Sequence, residues 1–279
     1  MEIDYKVAII GAGFGGLIAA LKLKNSGKNS FIIFERAGEI GGTWRDNNYP
    51  GCGCDVESNL YSISSEQNPN WSSTFSSQGE ILQYLKDIIN KNALQKNIRY
   101  NADIVDVKFI EEAGCWQLTD QNQNSVVVKM VILATGPFNR ISIPALKGIE
   151  TFEGKKFHSA EWDHTADLAG KKVAVIGTGA SAIQIVPSIA SQVADLYIFQ
   201  RSAPWVLPKK NIKASSFRKL VFRYFPLTQK LPREFIYWLR ELVGSSFIGN
   251  DLVHKIVTGI ALKKLKKEVA DAELRKKLT

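Results

Sequence analysis

The stretch Val7-Ala8-Ile9-Ile10-Gly11-Ala12-Gly13-Phe14-Gly15-Gly16 sets an apolar run directly before a Gly-x-Gly-x-x-Gly turn, and Leu17, Ala20, Leu21 and Leu23 follow at helical spacing. In such a turn each glycine serves a separate purpose, giving in order a tight bend after the strand, close approach of backbone to a pyrophosphate, and close packing of helix on strand. The pattern returns at Gly177-Thr178-Gly179-Ala180-Ser181-Ala182, again after an apolar run. Counting 24 residues from the first glycine gives Glu35 in one copy and Arg201 in the other. A carboxylate there accepts hydrogen bonds from the ribose hydroxyls of FAD or NAD, whereas a guanidinium, here followed by Ser202, pairs with the 2′-phosphate of NADP. The two turns together predict one chain that holds FAD and NADPH.

Around the first turn, residues 6–10, the helix after it, the stop at Gly27 and a second strand over 31–34 form one β-α-β unit. Residues 41–77 are rich in Gly, Asn, Ser and aromatics, and a loop of that length inside a compact domain is usually functional. Helical periodicity resumes over 78–90. Residues 104–109, 116–119 and 126–134 then predict a β-meander whose last strand closes at Ala134-Thr135-Gly136. The second β-α-β unit covers 172–200, with Pro187 inside its helix. From 217 to 278 the pattern is helical and amphipathic, carried by Phe235, Trp238, Leu239 and Leu242 and then by Leu252, Ile256, Ile260 and Leu262. The fold class is therefore α/β, with two Rossmann-like dinucleotide-binding domains, both incomplete, and a helical C-terminal segment. The expected divisions are 1–149 for FAD, 150–208 for NADP and 209–279 for the helices.

A chain of 279 residues that is 45% hydrophobic can bury two modest cores. Its net charge of +9 is uneven: residues 1–208 sum to −2 and residues 209–279 to +11. The basic tail carries no nucleic-acid-binding motif, so a solvated helical face ranks above a nucleic-acid surface. Cys52, Cys54 and Cys115 are too few for a disulfide framework and suit a reducing, cytoplasmic compartment. The C-x-C spacing of the first two also disfavours a C-x-x-C dithiol. No cluster has metal-ligand spacing. The uncharged run over 173–194 is long enough to span a bilayer but contains Gly177, Gly179 and Pro187, and it reads as strand, turn and helix. Neither it nor the N-terminal apolar run, which lacks a basic flank, predicts a membrane span or signal peptide.

Beyond the paired turns, residues 1–208 contain Gly41-Gly42-Thr43-Trp44, Tyr49-Pro50-Gly51 leading to Asp55, Ala134-Thr135-Gly136, and Phe152-x-Gly154-x-x-x-His158-x-x-x-Trp162-Asp163. In these motifs the chain resembles the class B flavoprotein monooxygenases. The last motif resembles the Baeyer–Villiger signature, since flavin-containing monooxygenases usually place tyrosine where Trp162 stands. The resemblance implies an enzyme that uses NADPH and O2 to insert one oxygen atom into a ketone through a C4a-peroxyflavin. It further implies that a C-terminal part holding a catalytic arginine is lacking here, a role that Arg201, Arg218 and Arg223 do not match.

The resemblance also implies individual roles. Gly11, Gly13, Gly15, Gly16 and Glu35 would hold FAD, with Trp44 along the flavin, Tyr61 near its phosphates and the Val105 backbone at the adenine end. Gly177, Thr178, Gly179, Ala180, Ser181, Ala182, Arg201 and Ser202 would hold NADPH. Asp55 would sit at the flavin–nicotinamide junction as the catalytic carboxylate, and His158 with Trp162 would act in a linker between domains. Unaided, the residues leave other readings open: core packing for Trp44 and Tyr61, a turn residue for Asp55, a surface arginine for Arg201. Two other functions also remain, a flavin-containing monooxygenase acting on nitrogen or sulfur, and a non-catalytic dinucleotide-binding remnant whose basic tail docks a partner or an anionic membrane.

Overall fold

The structure, a computed structural model, describes residues 2–278 and divides into two compact units, Met1–Asn48 with Gln78–Trp162 and Tyr49–Ser77 with Asp163–Thr279. The units are not successive stretches of chain, as the sequence had suggested. Besides bonding among themselves, residues 49–77 hydrogen-bond to residues 184–240 and so group with the second turn, although they follow the first in sequence.

In the first unit, β1 (Tyr5–Ile10), α1 (Phe14–Asn25) and β2 (Phe31–Phe34) are followed by the short α2 (Thr43–Asp46), α3 (Gln78–Lys91) and β3 (Ile98–Arg99). The predicted meander is β4 (Ile104–Ile110), β5 (Cys115–Asp120) and β6 (Ser125–Leu133). The sheet order is β3-β2-β1-β6-β5-β4, parallel from β3 to β6 and antiparallel across the meander. Neighbours on both edges and cover on both faces explain why Val7, Ala8, Ile9 and all of β2 are buried without polar alternation. One face packs Ala8, Ile32 and Phe34 with Leu118, Val126 and Val128. Gly16, Leu17, Ala20 and Leu21 are the buried residues of α1, and Ile81, Leu85, Ile88 and Ile89 form the buried stripe of α3. The β4–β5 register shifts between Ile104 and Asp106, so the main chain of Val105 stands outside the ladder.

The second unit has one β-α-β unit, in which β7 (Lys172–Ile176) and β8 (Asp195–Phe199) pair in parallel through α4 (Ala180–Ile189). The helices α5 (Ser216–Tyr224), α6 (Leu227–Gly244), α7 (Asp251–Glu268) and α8 (Ala272–Lys277) follow. The amphipathic spacing predicted helix correctly, but α6 turns its polar face inward. Gln229, only 2% exposed, donates to the Asn68 carbonyl and the Asn59 side chain; the Arg233 guanidinium donates to the carbonyls of Asn59, Leu60 and Ser62; Arg240 pairs with Glu57. A loop without regular structure has main-chain carbonyls to satisfy, and these side chains supply the donors. The other face of α6, with Leu231, Phe235 and Trp238, is exposed.

A Cβ added at Gly16 would lie 1.8 Å from the Gly11 carbonyl oxygen, so helix α1 can sit on β1 only with glycine there. Gly16→Ala is expected to lower stability by about 1–3 kcal/mol in urea unfolding, the usual cost of overpacking. Gly79→Ala, also in a helix but with open space around its Cβ position, should be neutral or slightly stabilising.

Candidate functional site

The first glycine turn is closed by its own strand neighbours. The Gly11 amide donates to the Phe34 carbonyl at 2.8 Å, and Gly11 has φ of +106°, a conformation that only glycine adopts without strain. Its missing side chain leaves room for Ala134, whose carbonyl oxygen would be 2.5 Å from a Cβ at that position. The Ala134-Thr135-Gly136 motif therefore abuts the turn directly. Gly15 faces Ala134, and Gly13 faces Gly42 at ordinary contact distance. Glu35, at 4% exposure, points into the turn: Oε2 accepts from the Ala12 amide at 2.9 Å, and Oε1 accepts from the Ala37 amide at 3.0 Å and from Arg45 at 2.9 Å. Arg45 is itself fixed by both carboxylate oxygens of Asp46 and by the Glu39 carbonyl. Burial works against its cation, but the hydrogen bonds and charges of Asp46 and Glu35 outweigh it and raise its pKa above the ordinary value.

The second turn repeats this arrangement with one difference. The Gly177 amide donates to the Phe199 carbonyl at 2.9 Å, as Gly11 does to Phe34, and Ile176 pairs with Phe199 as Ile10 pairs with Phe34. By that register Gln200, not Arg201, is the counterpart of Glu35, because the second connection is one residue shorter. The equal count of 24 residues is thus not a structural equivalence. Arg201 is nonetheless beside its turn, since the Thr178 hydroxyl lies 3.5 Å from the Ser202 carbonyl oxygen. Arg201 is exposed and has no hydrogen bond or ion pair among the described residues. Ala180, Ser181 and Ala182 form the first turn of α4, and a largely apolar cavity of about 320 Å³ runs from Thr178 and Ala182 past Ile198 and Trp205 to Leu265 on α7.

Both turns open a helix whose N-terminus lacks a side-chain cap, as the N-termini of α2 and α6 also do. Helices α5, α7 and α8 are capped by the side chains of Ser215, Asn250 and Asp271, whereas α1 and α4 begin at Gly13 and Gly179 with no side-chain cap. Their first-turn amides and positive dipole ends are available to an anion. A Cβ at Gly179 would meet nothing within 4 Å, and one at Gly13 only Gly42. Both cradles fit a dinucleotide pyrophosphate.

Asp55 belongs to the second unit, where Gln184 of α4 organises its loop. The Gln184 amide accepts from the Tyr49 hydroxyl and the Gly53 amide, both at 3.1 Å, and donates to the Gly53 carbonyl at 3.0 Å and to Asp55 Oδ2 at 3.2 Å. Gly51 lies against the same helix, where a Cβ would be 2.5 Å from the Gln184 carbonyl oxygen. Lys209 completes the site with a 2.7 Å ion pair to Asp55 Oδ1. Burial pushes the Tyr49 phenol up to about 12, so it stays a donor at neutral pH. The sequence did not single out Gln184, Lys209 or Arg45. The signal for Gln184 was a single amide on a helix of apolar and small residues, and Arg45 directly follows the Gly41–Trp44 motif; Lys209 had none.

Trp44 is buried on α2 and Val105 lies at the β4 irregularity, both in the first unit; Tyr61 is half-buried in the second. His158 Nδ1 accepts from the Ala160 amide at 3.1 Å and caps a short 3-10 turn, and Trp162 stacks edge-on with Phe157. The boundary between the units falls between Trp162 and Asp163. No helix among the described residues is long and apolar enough to cross a membrane.

Two outcomes are expected. Arg45→Met leaves the buried Glu35 carboxylate without its cation and should cost roughly 3 kcal/mol in urea unfolding; a change below about 1 kcal/mol would show that the pair is dispensable. Burial raises the Cys52 and Cys54 thiols above their ordinary pKa, and the Asp55 charge adds to this. Both should therefore alkylate slowly with iodoacetamide at pH 7.5, with the rate climbing only above pH 9 as thiolate forms; fast modification at neutral pH would contradict it.

The profile of the flavin-binding monooxygenase-like family matches residues 4–268. A Baeyer–Villiger monooxygenase of Pseudomonas aeruginosa is 45% identical over 98% of the chain and 52% of its own length, and one of Streptomyces coelicolor is 43% identical over 98% and 53%. The chain thus spans about half the length of these curated relatives. Among solved structures, cyclohexanone monooxygenase from a Rhodococcus species bound to NADP+ aligns with a TM-score of 0.73 at 31% identity over 80% of this chain and 43% of its own. A complex of OTEMO with FAD and NADP aligns with a TM-score of 0.80 at 27% identity over all of this chain and 60% of its own. With two uncapped glycine turns and a family profile that covers nearly its whole length, the chain belongs to the flavin-binding monooxygenase-like family.

Proposed function

We propose that the chain forms the FAD- and NADPH-binding portion of a Baeyer–Villiger-type monooxygenase, which inserts one oxygen atom of O2 into a ketone to give an ester or lactone. The observation that carries the reading is the contrast between the two cradles. A buried carboxylate faces the first glycine turn, and an exposed arginine, Arg201, precedes the Ser202 carbonyl that lies against the second. The names of the Pseudomonas aeruginosa and Streptomyces coelicolor relatives and the Trp162-Asp163 signature support the same reaction class.

A bound flavin would supply the hydride-accepting and dioxygen-activating chemistry, while the protein supplies geometry and electrostatics. The uncapped amides of α1, with Gly13 and Gly15 free of side chains beside them, would bind the FAD pyrophosphate, and Glu35 would accept from the ribose through Oε2. The main chain of Val105, outside the β4 ladder, is available to the adenine end. Trp44, in the first unit with the turn, would lie along the flavin. In the second unit the first turn of α4, from Thr178 to Ala182, binds the NADPH pyrophosphate, and Arg201 and Ser202 take the 2′-phosphate. Asp55, held by Gln184 and Lys209, orients the nicotinamide end.

Arg201→Ala is expected to weaken NADPH binding about tenfold to a hundredfold, the worth of a charge-assisted phosphate contact, while NADH binding changes little. Equal losses for the two coenzymes, measured by fluorescence titration, would remove the 2′-phosphate assignment. NADPH consumption with a ketone and formation of the ester support the reaction class. Turnover of a thioether but not of a ketone would move the chain to the nitrogen- and sulfur-oxidising class, and colourless protein that leaves NADPH intact would indicate a dinucleotide-binding remnant.

A further inference from the structure

Both carboxylate oxygens of Asp55 are engaged by side chains far along the chain, Oδ2 by Gln184 and Oδ1 by Lys209. Lys209 is anchored at three points: the ion pair, the Cys54 carbonyl at 3.2 Å, and the face of Phe75, whose ring centre lies 4.6 Å from the ammonium. Its backbone is fixed as well. Residues 211–214 run antiparallel to 72–75 through Thr74 amide to Ile212 carbonyl, Ala214 amide to Ser72 carbonyl, and Phe75 amide to the Asn211 side chain. The pair is still open to a ligand, since the Lys209 and Asp55 side chains are 43% and 53% exposed. Glu57, the nearest acidic residue along this loop, is occupied by Arg240.

We propose that Lys209 determines specificity for the oxidation state of the nicotinamide coenzyme, forming with Asp55 a charge-neutral pair that keeps the affinities for NADP+ and NADPH close to each other. This rests on the reading of Asp55 as the residue at the nicotinamide end. The oxidised ring carries a formal positive charge and the reduced ring is neutral, so a lone carboxylate beside it favours the oxidised form and a lone ammonium the reduced form. The two charges held together cancel most of either preference. Because the pair is half-exposed, each charge acts through a solvent-screened medium and the bias it exerts alone is modest.

The test uses the full chain and measures dissociation constants for NADPH by its fluorescence and for NADP+ by competition, without any turnover. Lys209→Met should shift selectivity toward NADP+ by roughly three- to tenfold, and Asp55→Asn should shift it toward NADPH by a similar factor. Lys209→Arg should keep the parent ratio, and both shifts should shrink at high salt. A merely structural role would move both affinities together and would not give shifts of opposite sign. An unchanged ratio in Lys209→Met, or the same shift in Lys209→Arg, overturns the inference. If Arg201→Ala still separates NADPH from NADH in that case, the coenzyme site stands and only the role of Lys209 falls. Parent protein that binds neither form overturns the coenzyme reading and this inference with it.

Discussion

The Glu35 carboxylate is buried inside the first unit, and three separate parts of the chain depend on it. It accepts the Ala12 amide from the glycine turn, the Ala37 amide just after β2, and the Arg45 guanidinium from α2. A buried charge is tolerated only when it is paired and hydrogen-bonded, and here two amides and a cation fill both positions on Oε1 and one on Oε2, leaving Oε2 able to accept once more. In doing so they lock the turn between β1 and α1 against the end of β2. The shape of the nucleotide cradle and the placing of the short helix with Trp44 both follow from this one group.

In the second unit a neutral amide has a comparable role. Gln184 uses all of its polar capacity on the 49–55 loop, accepting twice and donating twice. It projects from the helix that the second glycine turn opens, so the turn, the loop and Asp55 share one rigid support. Arg233 and Gln229 hold the next part of the same segment from α6. A stretch of almost thirty residues with little regular structure has main-chain turns of its own and is held in addition by side chains that satisfy several of its remaining carbonyls.

These demands also explain where regularities in the sequence mislead. Glu35 and Arg201 lie at equal distance from their glycines, yet strand pairing makes Gln200 the partner of the Glu35 position, because the connection through α4 is a residue shorter. The apolar stripe of α6 identified a helix, but the helix presents that stripe outward because its polar side chains are needed against the loop.

The sequence alone determined the local elements: β1, α1 and β2 from an apolar run, a glycine turn and helical spacing; the meander from β-branched runs between polar turns; and the two cradles from their glycines. These depend on short-range sterics and periodicity, which neighbouring residues set among themselves. Sequence could not reveal that residues 49–77 join the second unit, that Arg45 neutralises Glu35, or that Gln184 and Lys209 hold Asp55. Those pairs lie 10, 129 and 154 residues apart. Only tertiary structure decided them, because what brings such partners together is the need of buried or loop polar groups for donors and acceptors, and that need exists only once the chain has folded around them.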